Sequence, residues 1–128
     1  MTILCIDDEE ANCQLLVDCL SHFRHRVTTA SSGSRGIDLF RAARKQNEPF
    51  QAVITDLGMP QMDGYQVART IKSESAHTPI IMLTGWGTMI KDDGEDTPAV
   101  DALLGKPPQI QELNDLLLRL VAAEKAPA

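Results

Sequence analysis

The sequence holds no apolar run approaching the ~20 residues a membrane-spanning helix needs, since every hydrophobic stretch in it is short. Its first residues, Met1-Thr2-Ile3-Leu4-Cys5-Ile6-Asp7-Asp8, carry neither a basic segment nor a small-residue cleavage site, so no secretory leader is expected. The expected location is therefore the cytoplasm, with no membrane contact by this domain. Basic residues are scarce: 12 Lys and Arg stand against 18 Asp and Glu, for a net charge of -6. An acidic surface repels phosphate backbones, so no direct contact with nucleic acid is expected; the same field favours cations and basic partners. The three cysteines, Cys5, Cys13 and Cys19, lack metal-ligand spacing and read as reduced, mostly buried thiols. Repeats, low-complexity segments and linkers are also missing. A chain of 128 residues fits one domain with one core, so residues 1–128 are expected to form a single unit, with a frayed tail from about 122 to 128.

What is present is a set of short, non-alternating apolar runs: Ile3–Ile6, Val27–Ala30 (the weakest), Ala52–Thr55, Ile80–Leu83 and Ala102–Leu104. Continuous runs of this kind mark strands buried on both faces, hence a parallel sheet. Helical patterns lie between them. Leu15, Leu16, Cys19, Leu20 and Phe23 predict a helix from about Glu10 to Phe23. Others are expected over about Ser34–Gln46 (Ile37, Phe40 and Ala43 inward), Gly64–Ser73 (Val67, Ala68 and Ile71 inward) and Ile110–Ala123 (Leu113, Leu116, Leu117, Leu120 and Val121 inward). The segment 88–99 should hold one more. Its central Gly94, its acids and Pro98 predict that this fourth helix in chain order is short or irregular. Strands alternating with helices give a three-layer α/β sandwich with right-handed crossovers. Five strands in this length suggest a flavodoxin-like sheet of order 2-1-3-4-5, with helices on both faces and ligands beyond the carboxyl ends of strands 1 and 3.

Acids stand at those two ends. Asp7 and Asp8 follow the first apolar run, and Asp56 follows the third. Carboxylates at adjacent strand ends can converge on one divalent cation, and phosphoryl chemistry on a carboxylate then becomes possible.

In these residues the chain resembles the receiver domains of two-component response regulators. The resemblance rests on Asp7-Asp8, Asp56, Met59-Pro60-Gln61-Met62-Asp63-Gly64-Tyr65, Thr78-Pro79-Ile80-Ile81-Met82-Leu83-Thr84 and Gly105-Lys106-Pro107. These elements occur in order and cover nearly the whole chain. The resemblance implies that Asp56 is the phosphoacceptor, charged by a histidine kinase or a histidine phosphotransfer protein. It implies that Asp7 and Asp8, with Asp56 and the backbone carbonyl of Gly58, hold Mg²⁺. It implies that Thr84 bonds a phosphoryl oxygen, that Lys106 pairs with the phosphoryl group, and that Lys106-Pro107 is a cis peptide. An unknown downstream protein would read the resulting switch, and the domain would catalyse its own phosphotransfer and dephosphorylation.

Each residue alone has a plainer reading. Asp7-Asp8 fits a helix cap, Asp56 a turn former, Thr84 a strand end and Lys106 a solvated surface residue. The plain readings do not predict one another, so their joint occurrence at successive strand ends favours the site. Asp63-Gly64 reads as a turn and helix start, and Met59, Met62 and Tyr65 read as packing. The chain departs from the family at Leu103, where receivers commonly carry Tyr or Phe three positions before the lysine, and at Gly85-Trp86-Gly87 after Thr84. An aliphatic Leu103 can repack but offers no phenol and less area. Trp86 fits either a packed loop ring or a rim of the site or partner surface. The acidic stretch Asp92–Asp96 fits either a solvated loop or a signalling surface. These departures resemble the receivers of hybrid histidine kinases. Two other functions stay open: a phosphorylation-independent receiver-like binding module, and a Mg²⁺-dependent phosphohydrolase. Against the second, the sequence shows no second acid–base carboxylate following Asp56 and no substrate-cap insertion.

Overall fold

The computed structural model describes residues 1–85, 100–106 and 108–125. Strand and helix alternate in the order β1 (Thr2–Ile6), α1 (Glu10–Ser21), β2 (Arg26–Ala30), α2 (Gly33–Lys45), β3 (Ala52–Asp56), α3 (Gly64–Glu74), β4 (Ile80–Thr84), β5 (Ala102–Gly105) and α4 (Ile110–Lys125). The expected irregular helix within 88–99, Trp86, the Lys106-Pro107 peptide and the last three residues lie outside the described residues.

The five strands form one parallel sheet of order β2-β1-β3-β4-β5, as expected. Register pairs Cys5 with Ile54, Ile54 with Ile81 and Ile81 with Ala102, so one row of side chains crosses from β1 to the β5 edge. Successive strand residues point to opposite faces, and the core divides accordingly. Ile3, Cys5, Ala52, Ile54, Ile81 and Leu83 pack with Leu16 and Leu20 of α1 and Leu113, Leu117 and Val121 of α4. Leu4, Ile6, Val53 and Ile80 pack on the other face with Phe40 of α2 and Val67, Ala68 and Ile71 of α3. This is the three-layer arrangement, and it leaves the carboxyl ends of β1, β3, β4 and β5 along one rim.

The helix starts follow from local chemistry. Ser32 caps α2 by accepting from the Arg35 N–H. Asp63 and Gln66 form a reciprocal capping box at α3, which satisfies two otherwise orphaned backbone donors. Several expected details are corrected. Helix α1 ends at Ser21, short of Phe23, because the chain turns through Arg24 in the left-handed region (φ 64). Leu15 is exposed, and Cys13 takes the buried position on that helix. Helix α4 ends at Lys125, two residues beyond the expected Ala123.

A candidate phosphoacceptor site

Asp7 follows the last residue of β1, and its N–H extends the sheet by donating to the Ala30 carbonyl at 3.0 Å. Its side chain is almost wholly buried and accepts three hydrogen bonds. Oδ1 takes the Glu9 N–H at 2.9 Å. Oδ2 takes the Asn12 amide at 3.2 Å and the Lys106 ammonium at 3.1 Å. Asp8, next along, is exposed. Helix α1 is capped at Glu9, whose side chain makes no capping bond. The plain reading of Asp7-Asp8 as the helix cap therefore gives way: Asp7 holds the Glu9 amide but is turned into the rim.

Asp56 closes β3 and is buried to 7% exposure. Its Oδ1 lies 2.7 Å from Lys106 Nζ. The loop behind it is drawn close, with the Gly64 N–H donating to the Leu57 carbonyl at 2.9 Å. A Cβ at Gly64 would fall 2.5 Å from the Asp56 carbonyl oxygen and 2.8 Å from Met82 Sδ. Only glycine admits this approach. Gly58 is exposed, with open space where a side chain would stand.

Thr84 ends β4, buried, in register with Gly105. The Lys106 N–H donates to the Thr84 carbonyl at 3.0 Å, which sets the lysine one step beyond β5 and aims it back across the rim. Asp56, Gly58, Thr84 and Lys106 line one open depression, with Glu9 at its edge. Leu103 sits in β5 opposite Met82, partly buried.

Ligand oxygens of Asp7, Asp8 and Asp56 all lie within 4.8 Å of one another. Such an all-oxygen set suits a hard divalent cation such as Mg²⁺, which is held through one or two carboxylates and keeps several waters. Asp7 has room for it, since a carboxylate offers about four acceptor positions and three of these are used. The residues present therefore fit the cation.

Electrostatics sharpen the site. Burial pushes the Asp56 carboxyl above its ordinary range, and Asp7 and Asp8 push the same way, while the hydrogen bond from Lys106 opposes them. Burial by itself would lower Lys106, but its hydrogen bonds to Asp56 and Asp7 outweigh that and hold the ammonium above its usual value. Burial likewise raises Cys5 and Cys13, which leaves both thiols protonated and unreactive.

The family model of the response regulator receiver domain matches residues 3–118. The response regulator receiver protein CpdR of Brucella abortus is 30% identical over 122 residues, covering 94% of this chain and 98% of that protein. The signal transduction histidine-protein kinase BarA of Escherichia coli is 27% identical over 121 residues, covering 93% of this chain but 13% of that kinase. A response regulator receiver domain protein from Clostridium thermocellum superposes with a TM-score of 0.84 at 30% identity, covering 97% of this chain and 96% of the other.

The chain belongs to the response regulator receiver domain family, the receiver module of two-component systems. Among the described residues no helix is long and apolar enough to cross a membrane.

The rim brings together the six expected site residues: Asp7, Asp8, Asp56 and Lys106 by direct proximity, Gly58 and Thr84 by lining the same depression. Asn12 was not among them. The available signal was its place in the first turn of α1, five residues after Asp7, where a short amide can turn back to the strand end.

Proposed function

We propose that the chain is a phosphoacceptor switch: Asp56 takes a phosphoryl group from a phosphohistidine in the presence of Mg²⁺, and the modified domain presents a changed surface to a downstream protein. The observation that carries this reading is the meeting of three carboxylates within 4.8 Å beside an ammonium 2.7 Å from Asp56.

In this reading an Asp56 oxygen attacks phosphorus in line with the bond to the donor imidazole. The P–O bond forms as the P–N bond breaks, and the imidazole leaves with the bonding pair. Asp56 must be ionised to attack, and Lys106 favours that form. The same ammonium is placed to pair with an equatorial phosphoryl oxygen, and the Thr84 hydroxyl is suited to donate to another. Asp7, Asp8, Asp56 and the Gly58 carbonyl would hold Mg²⁺, which would supply positive charge against the anionic group. Asp56 lines an open depression together with Gly58, Thr84 and Lys106, which supports approach by a partner's phosphohistidine. The donor is a histidine kinase or a histidine phosphotransfer protein, in keeping with the receiver family and with the likeness to part of BarA.

A covalent negative charge on Asp56 would draw Lys106 toward the phosphoryl oxygens and loosen its hold on Asp7. The change at β4 and β5 is then the local event that biases a two-state surface. Leu103 takes part as an aliphatic group that repacks without a hydrogen bond to lose.

A beryllium fluoride titration monitored by NMR tests the reading. Saturable Mg²⁺-dependent shifts at Asp56, Thr84 and Lys106, absent in Asp56→Asn, are expected. Shifts that are independent of Mg²⁺ or retained in Asp56→Asn would return the chain to the class of phosphorylation-independent binding modules.

A further inference from the structure

We infer that Asn12 is a positioning residue for the cation site: it holds the Asp7 carboxylate in place when Lys106 leaves that carboxylate for the phosphoryl group. The inference rests on the phosphoacceptor reading and extends it to a residue that reading does not use.

Asp7 is gripped from two sides. On one side is the first turn of α1. The Glu9 N–H binds Oδ1 at 2.9 Å, the Asn12 amide binds Oδ2 at 3.2 Å, and the Cys13 thiol donates to the Asp7 carbonyl at 3.5 Å. That turn is itself fixed, because the Asn12 and Cys13 N–H groups both donate to the Glu9 carbonyl. On the other side is Lys106, which shares Oδ2 with Asn12 at 3.1 Å and reaches Asp56 at 2.7 Å.

The two sides differ in what a phosphoryl group would do to them. Lys106 is one flexible ammonium divided between two carboxylates, and a phosphoryl group on Asp56 competes for it directly. Asn12 is neutral and short-stemmed, so added charge on Asp56 has little hold on it. Without Asn12, Oδ2 would lose its last side-chain donor among the described residues at the moment Lys106 turns away. The carboxylate would then be free to turn about its Cβ–Cγ bond and lose its aim at the cation. With Asn12 the set drops from three donors to two, one on each oxygen, and the orientation survives. Partners that orient a metal's ligands in this way typically carry about 10–100-fold in metal affinity.

The test is isothermal titration of Mg²⁺ into the full chain and into Asn12→Ala, Asn12→Gln, Lys106→Met and the Asn12→Ala/Lys106→Met double variant. Asn12→Ala should weaken Mg²⁺ binding about tenfold. The loss should be larger in the Lys106→Met background, where no other side chain among the described residues holds Oδ2. Asn12→Gln, which keeps an amide donor, should recover most of the affinity. If Asn12→Ala does not fold, Asn12→Ser takes its place in both backgrounds. Unchanged Mg²⁺ affinity in Asn12→Ala, or equal losses in the two backgrounds, overturns the inference and leaves the phosphoacceptor reading standing. Failure of the wild-type chain to bind Mg²⁺ overturns that reading and this inference together.

Discussion

Asp56 is held in a state it would not choose by itself. Burial disfavours its charge, and two neighbouring aspartates add to the cost. A carboxyl whose pKa is raised on folding contributes its stability below the unfolded pKa and loses it as pH rises through the folded value. Neutral pH is therefore the condition in which ionised Asp56 weighs against the fold. Asp56→Asn should melt at a higher temperature than wild type at pH 7, and the difference should shrink as pH falls and the wild-type carboxyl takes up a proton. Melting curves of both proteins across pH check this; a lower melting temperature for Asp56→Asn at neutral pH contradicts it. Gly64 acts at the same scale. Its missing Cβ is what lets the loop close on the Asp56 carbonyl, and the obstructing atom is backbone, which cannot swing aside. Gly64→Ala should cost about 1–3 kcal/mol, as overpacking of a close contact does, read as a fall in the denaturant midpoint. A midpoint equal to wild type would mean that the loop is free to shift.

At the scale of elements, the capping box at α3 anchors the helix that follows the acceptor loop. Asp63→Ala removes the bond to the Gln66 N–H and should destabilise the protein by about 1 kcal/mol, with Asp63→Asn close to neutral. Chemical denaturation of the two variants separates the loss of the cap from the loss of the charge. The elements also show how far a sequence can be read by eye. Strands β1, β3 and β4 stood out as apolar runs because each lies inside the sheet, with a helix layer on both faces. Strand β2 gave the weakest run because it is an edge, where a strand needs fewer apolar residues. The end of α1 was missed because Phe23 continues the apolar spacing past the helix end at Ser21, up to the turn at Arg24, and backbone direction there is not written in hydropathy. Asp7, Asp56 and Thr84 were legible because each sits directly after an apolar run, and Lys106 because it follows one with only Gly105 between. The division of Lys106 between Asp7 and Asp56, and the part Asn12 plays, were not, since they depend on side-chain reach across elements far apart in the chain.

At the scale of the molecule, the fold places its least comfortable charges together. The sheet ends that carry Asp7, Asp8 and Asp56 meet on a chain whose net charge is -6, with Lys106 set against the three carboxylates. A bound divalent cation would relieve that crowding and favour the folded state by mass action. At a hundredfold excess over the dissociation constant the gain is about 2.7 kcal/mol. Thermal unfolding should therefore shift upward by several degrees in Mg²⁺, return to the starting value with a chelator, and fail to shift in Asp7→Ala. A shift of the same size in Asp7→Ala would place the cation elsewhere.

The most direct test of the whole account is incubation of the chain with acetyl phosphate, with and without Mg²⁺, followed by mass-spectrometric mapping of the phosphoryl group. The account predicts one phosphoryl group per chain, on the peptide containing Asp56, formed only with Mg²⁺ and absent from Asp56→Asn. Incorporation at another residue, or at Asp56 without the cation, would contradict it.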